Sequence, residues 1–217
     1  MLHFGFGENL SLEESDANLN YYKKNYKTFE KKIDLPKEIY NAIDFNKSVV
    51  AGSFALQKLT GGDWEPNDVD IMLLASSKEE FDQEAYKFQQ KSNANLIKEA
   101  WFSESRNLIE PKTSIDELFH ESVLGSKTYT IQNFPLPVQL IALDPTKKSI
   151  MINRNIHDIL NETTDVPSCV NFTVVEGKKI FHIPEKGCEI LFTGRGNQKD
   201  ICKSRMEKYM QRGFQFY

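Results

Sequence analysis

Asp68 and Asp70 flank a single valine at the head of the run Val69-Asp70-Ile71-Met72-Leu73-Leu74. The other members of that run are residues that normally fill a buried strand. An ionised carboxylate is costly to bury unless a cation sits beside it. Residues two apart on a strand point to the same face. Two carboxylates on one face suit a hard divalent cation such as Mg2+ or Mn2+, which takes oxygen ligands and leaves positions for phosphate oxygens. Upstream, Gly52-Ser53 follows the apolar run Val49-Val50-Ala51. A glycine there lets the backbone come close to another group. A helix opening at Ser53 would turn free N–H groups and partial positive charge toward a phosphate. A phosphate cradle facing a carboxylate pair is the layout for two-metal phosphoryl or nucleotidyl transfer.

That chemistry needs a strand, a helix and a second strand in order. "KSVVAG" reads as the first strand, "SFALQKLTG" as a helix closed by Gly61, and "DVDIMLL" as the second strand. Next, "SKEEFDQEAYKFQQKSNA" opens with Ser77 as an N-cap and carries Phe81, Ala85 and Phe88 at helical spacing. "KTYTIQNFPLPVQLIAL" predicts two strands joined around Phe134 to Pro137, and "NFTVVEGKKIFHI" a hairpin turning at Glu176-Gly177. Shorter helices are expected at "YYKKNYKTFEKKI", at "LPKEIYNAIDF" with Pro36 in the N1 position, at "SIDELFHESVL" and at "IHDILNE". The tail "KDICKSRMEKYMQRGFQFY" reads as a basic helix that stops at Gly213. The fold class is α/β (α+β), a mixed or mostly antiparallel sheet flanked by helices, with helical additions. The expected organisation is an N-terminal extension over 1–45, a core over 46–185 and a basic C-terminal helix over 186–217.

Composition narrows the function classes. At 217 residues, 40% hydrophobic and 27% charged, the chain can build a real core. A net charge of −4 means that any nucleic-acid contact must come from a local patch. Such a patch exists in the tail, where Arg195, Lys199, Lys203, Arg205, Lys208 and Arg212 interleave with Phe192, Tyr209, Phe214 and Phe216. Basic plus aromatic residues suit single-stranded nucleic acid; an amphipathic helix with a solvated basic face gives the same pattern. No apolar run is long enough to span a membrane. Cys169, Cys188 and Cys202 are odd in number and widely spaced, which fits a reducing, cytoplasmic setting and neither a zinc site nor a disulfide framework. His3, His120, His157 and His182 are scattered and read as structural or surface residues.

Gly52-Ser53, a helix, then Asp68-Val69-Asp70 resembles the signature of the DNA polymerase beta-like nucleotidyltransferase superfamily. "WEPNDVDI" is similar to its approach to the aspartate pair, and "RMEKYMQRGFQF" to tails on nucleotidyltransferase-like proteins of large DNA viruses and phages. The resemblance covers Val49 to Leu143. It implies that Asp68 and Asp70 bind Mg2+ or Mn2+, that Gly52 and Ser53 hold the triphosphate of an NTP, and that a hydroxyl of RNA, protein or a small molecule accepts the nucleotide. For a viral member, the setting would be the host cytoplasm.

The superfamily also supplies a third carboxylate from a later strand, and here the sequence departs. That strand is expected at "PVQLIAL", where Gln139 takes the acid's position. Glutamine accepts hydrogen bonds but brings no charge. Asp165 is the first candidate to substitute, though it also reads as a turn residue before Pro167, and Asp144 is the second. Two readings stay open: a metal-dependent nucleotidyltransferase, or an inactive member of the fold that binds nucleotide, RNA or a protein.

Overall fold

A computed structural model describes residues 28–102, 122–145 and 169–217, with Ser11, Glu13, Glu14, Ala17, Asn20, Ile156, His157 and Leu160. Its strands in chain order are β1 (Thr28–Glu30), β2 (Ser48–Ala51), β3 (Val69–Leu74), β4 (Asn95–Trp101), β5 (Val123–Thr130), β6 (Val138–Leu143), β7 (Asn171–Val175), β8 (Lys178–His182), β9 (Arg195–Gly196) and β10 (Gln215–Phe216). The helices described from end to end are α1 (Lys37–Tyr40), α2 (Gly52–Thr60), α3 (Lys78–Ser92), α4 (Glu185–Thr193) and α5 (Lys203–Met210). Eight strands form one mixed sheet in the order β1-β8-β7-β2-β3-β6-β5-β4. Among the described residues, only the β3–β6 pair in it is parallel. The fold is therefore the expected mixed α/β arrangement.

Alternation along the central strands divides their side chains between two cores. Val50, Ile71, Leu73, Leu140 and Ala142 pack with Phe54, Leu56 and Leu59 of α2 and with Phe81, Ala85 and Phe88 of α3. On the opposite face Val49, Ala51, Met72, Ile141 and Leu143 meet Ile156 and Leu160. Asp70 and Gln139 belong to this second face by the same alternation. Ile39 from α1 and Cys188, Ile190, Leu191 and Phe192 from α4 join the larger core, so residues on both sides of 46–185 pack into it.

Local chemistry sets the element ends. α2 closes at Gly61, whose φ is 72°. Ser77 caps α3, its hydroxyl accepting from the Glu80 N–H at 3.2 Å. We expect Ser77→Ala to cost about 1 kcal/mol, and a thermal melt to fall by about 2–4 °C. The β7–β8 hairpin turns at Glu176 (φ 50°) and Gly177 (φ 78°), the backbone that a tight two-residue turn demands.

Four expectations change. The charged segment before Ile33 ends in strand β1, paired with β8, where a helix was expected; Tyr21–Lys27 lie outside the described residues. Pro36 is the capping residue ahead of α1 and not its first helical residue. Val123 and Leu124, the end of "SIDELFHESVL", belong to β5. The stretch 186–217 is not one basic helix. Gly194 (φ 73°) ends the largely apolar α4, and α5 follows, while β9 and β10 form a two-stranded parallel sheet. Among the described residues, no helix is long and apolar enough to cross a membrane.

Candidate active site

The α2 N-terminus and the head of β3 meet where β2 pairs with β3. Ala51, the last residue of β2, is the antiparallel partner of Asp70. The chain must turn there from strand into helix, and Gly52 does so at φ 70°. A Cβ on Gly52 would lie 2.3 Å from Asp70 Oδ2. The close approach expected of this glycine is therefore to the carboxylate itself, and any larger residue would displace it. Ser53 is buried in the first turn of α2, which contains no acidic side chain. Ala51 offers no side-chain oxygen to the first N–H groups, so the turn keeps donors and partial positive charge suited to an anion.

Asp68 lies one residue ahead of β3 and Asp70 within it, both partly exposed. Burial pushes the Asp70 carboxyl up to about 7, the Asp68 charge adds to the effect, and Arg205 and Lys208 of α5 pull the other way. Two carboxylates are thus crowded where charge is poorly solvated, a setting that a divalent cation relieves.

Gln139 is the parallel partner of Asp70, and Thr128 is its antiparallel partner on the other side. Neighbouring strands lie about 4.8 Å apart, so Gln139 stands beside Asp70 on the same face. Asp144 does not substitute for an acid there. It follows β6 at the opposite end from Gln139, five residues on, or about 16 Å at strand rise. It is buried, with its N–H bonded to the Ser122 carbonyl. Asp165 lies outside the described residues. Among the described residues, no group of three or more His, Cys, Asp or Glu side chains is placed to share a metal ion.

The basic tail is not a separate appendage. The Arg212 guanidinium sits 5.2 Å from the centre of the Trp64 ring, in the loop that leads to Asp68, and 5.6 Å from that of Tyr209. Phe214 meets Trp64 edge-on at 6.4 Å. Lys208 is half-buried, and burial lowers its ammonium, with Arg212 and Arg205 adding to the drop and Asp68 and Asp70 opposing it. Arg205 and Lys203 are exposed on the same helix.

Two histidines read as scattered, His157 and His182, meet around Asn171. His157 Nδ1 lies 2.7 Å from Asn171 Oδ1, and its ring is tilted against that of His182 with centres 4.4 Å apart. Asn171 and His182 are cross-strand partners. Counting pairs back from the Glu176-Gly177 turn gives that pairing from sequence; the position of His157 has no local signal. Cys169, Cys188 and Cys202 are all buried, and none is in a disulfide. The sequence matches no protein-family model and none of the curated proteins compared with it.

Proposed function

We propose that the protein is a metal-dependent nucleotidyltransferase of the DNA polymerase beta-like superfamily, with its site at the α2 N-terminus and the head of β3. The observation that carries this reading is Gly52, whose positive φ and missing Cβ bring a helix N-terminus against the carboxylate of Asp70. Asp68 and Asp70 would hold Mg2+ or Mn2+. When bound, that ion would polarise phosphate oxygens and offset negative charge that builds up on them. Ser53 and the first N–H groups of α2 would bind and orient the polyphosphate of an NTP. The charges of Arg205 and Lys208 also act on the Asp70 carboxyl. In the reaction an acceptor hydroxyl oxygen bonds to the α-phosphorus, its proton passes to solvent water, the bond to the β-phosphate bridge oxygen breaks, and pyrophosphate leaves. Gln139 can accept a hydrogen bond from that hydroxyl and so orient it, but it cannot take the proton.

Gln139 also favours a second reading, a binder of nucleotide, RNA or a protein partner that lacks the base for chemistry. The acceptor class is RNA, with Lys203, Arg205, Lys208 and Arg212 as its contacts, or a protein or small-molecule hydroxyl. Three buried cysteines outside any disulfide fit a cytoplasmic site of action. Incubation with each α-labelled NTP and Mg2+ separates the readings. The enzyme transfers label to an acceptor with release of pyrophosphate. A binder retains nucleotide and releases none.

A further inference from the structure

The last turn of α5 and the turn beyond it place two cations on one aromatic ring. The Lys208 ammonium lies 5.7 Å from the centre of the Tyr209 ring, and the Arg212 guanidinium 5.6 Å from the same centre. Tyr209 is buried in the main core, which fixes that ring. Arg212 also lies 5.2 Å from the centre of the Trp64 ring, and its backbone N–H donates to the Tyr209 carbonyl at 3.0 Å. Phe54 and Tyr40, by contrast, each meet one cation among the described residues, Lys58 and Lys179. We propose that Lys208 and Arg212 together form a binding site for a terminal phosphate group. The site needs no metal ion and does not depend on the metal-site reading above.

Charge balance names the ligand. Both cations are half-buried, and neither is ion-paired with a carboxylate among the described residues. Lys127, also drawn in from solvent, has Asp82 at 2.8 Å. The buried Nη1 of Arg212 has no hydrogen-bond partner. The C-terminal end of a helix supplies about half a negative charge, against two positive ones. A phosphodiester adds one negative charge, whereas a terminal phosphate carries about −1.5 to −2 at neutral pH and presents three acceptor oxygens. The terminal group is therefore the better match, and the guanidinium fork and the ammonium can each bond a different oxygen. The aromatic rings are already engaged. Trp64 has Arg212 over it and Phe214 edge-on at 6.4 Å, and a Cβ on Gly62 would collide with its ring. A nucleobase would have to displace one of these to stack, so the site reads charge rather than base.

Thermal melts with inorganic phosphate, in EDTA and at constant ionic strength, test this with no metal and no turnover. Phosphate should raise the wild-type melting temperature in a saturable way. Lys208→Gln and Arg212→Gln should each weaken phosphate binding by about tenfold. Arg212→Lys should keep most of it, and Asp70→Asn should leave it unchanged. An oligoribonucleotide, phosphorylated or unphosphorylated at its 5′ end, then separates the sources of the group. A preference for the phosphorylated strand that both glutamine variants lose assigns the site to an RNA terminus. Equal binding of the two strands, with the response to phosphate intact, assigns it to a small phosphate compound. No response to phosphate in the wild type would overturn the site. So would glutamine variants that melt lower but respond to phosphate as the wild type does, which would make the two cations packing residues only. Either result leaves the metal-site reading standing. If Arg212→Gln does not fold, Lys208→Gln decides the matter.

Discussion

Asp70→Asn is expected to raise the melting temperature of the nucleotide-free protein at pH 8 and to remove its response to Mg2+. Folding lifts this carboxyl from an ordinary 3.8 to about 7, chiefly by burial and then by the Asp68 charge. Between those values the unfolded chain has released the proton and the folded chain still holds it. Stability of the wild type therefore falls as pH rises through that window, and above it the ionised folded state carries the full penalty. A penalty on the order of 2–4 kcal/mol corresponds to a gain of about 5–10 °C for the asparagine variant, whose pH dependence should also be flatter. Mg2+ should stabilise only the wild type. A variant that melts lower, with its response to Mg2+ intact, would make Asp70 a structural carboxylate.

Gly52→Ala should be the most damaging single-methyl change in the site. Gly177 provides the comparison, since both glycines have positive φ, near 70° and 78°. A Cβ at Gly177 meets nothing within 4 Å, whereas one at Gly52 lies 2.3 Å from Asp70 Oδ2. Gly177→Ala should cost only the left-handed backbone, about 1–2 kcal/mol. Gly52→Ala adds displacement of a carboxylate in a packed site, for a total of about 2–5 kcal/mol. In the double variant Gly52→Ala with Asp70→Ala, compared with Asp70→Ala alone, the clash is gone and only the backbone cost remains. Chemical denaturation of the wild type, the three single variants and the double variant separates the two contributions. Equal losses at Gly52 and Gly177 would show that the contact with Asp70 has no energetic weight.

Much of this site can be read locally. The Gly52 turn, the helix to Gly61 and the Asp68-Val69-Asp70 head of a strand are each set by residues within a few positions, and so are the Ser77 cap and the Glu176-Gly177 hairpin. Gln139 is a harder case. Its place in the apolar strand "PVQLIAL" is visible, but its position beside Asp70 depends on the parallel pairing of β3 with β6, a contact between distant segments. Asp144 misled because an acid next to an apolar strand looks alike at either end, and only the strand's direction places it away from the pair. The tail misled for another reason. Its charges suggest a solvated face, yet Arg212 lies over Trp64 and the Lys208 ammonium lies over the ring of buried Tyr209. The contact of Arg212 with Trp64 joins residues far apart in the chain and leaves no periodic trace in it. The His157, Asn171 and His182 cluster divides in the same way, half hairpin register and half tertiary contact.

Equilibrium binding of each NTP with and without Mg2+, in the wild type and in Asp68→Asn and Asp70→Asn, tests the site most directly. The wild type should bind at least one NTP in a Mg2+-dependent manner. Each asparagine variant should lose that binding by tenfold or more, about 1.4 kcal/mol, while remaining folded. Nucleotide binding that is independent of Mg2+ and unchanged in both variants would contradict the site, as would a wild type that binds no NTP under either condition.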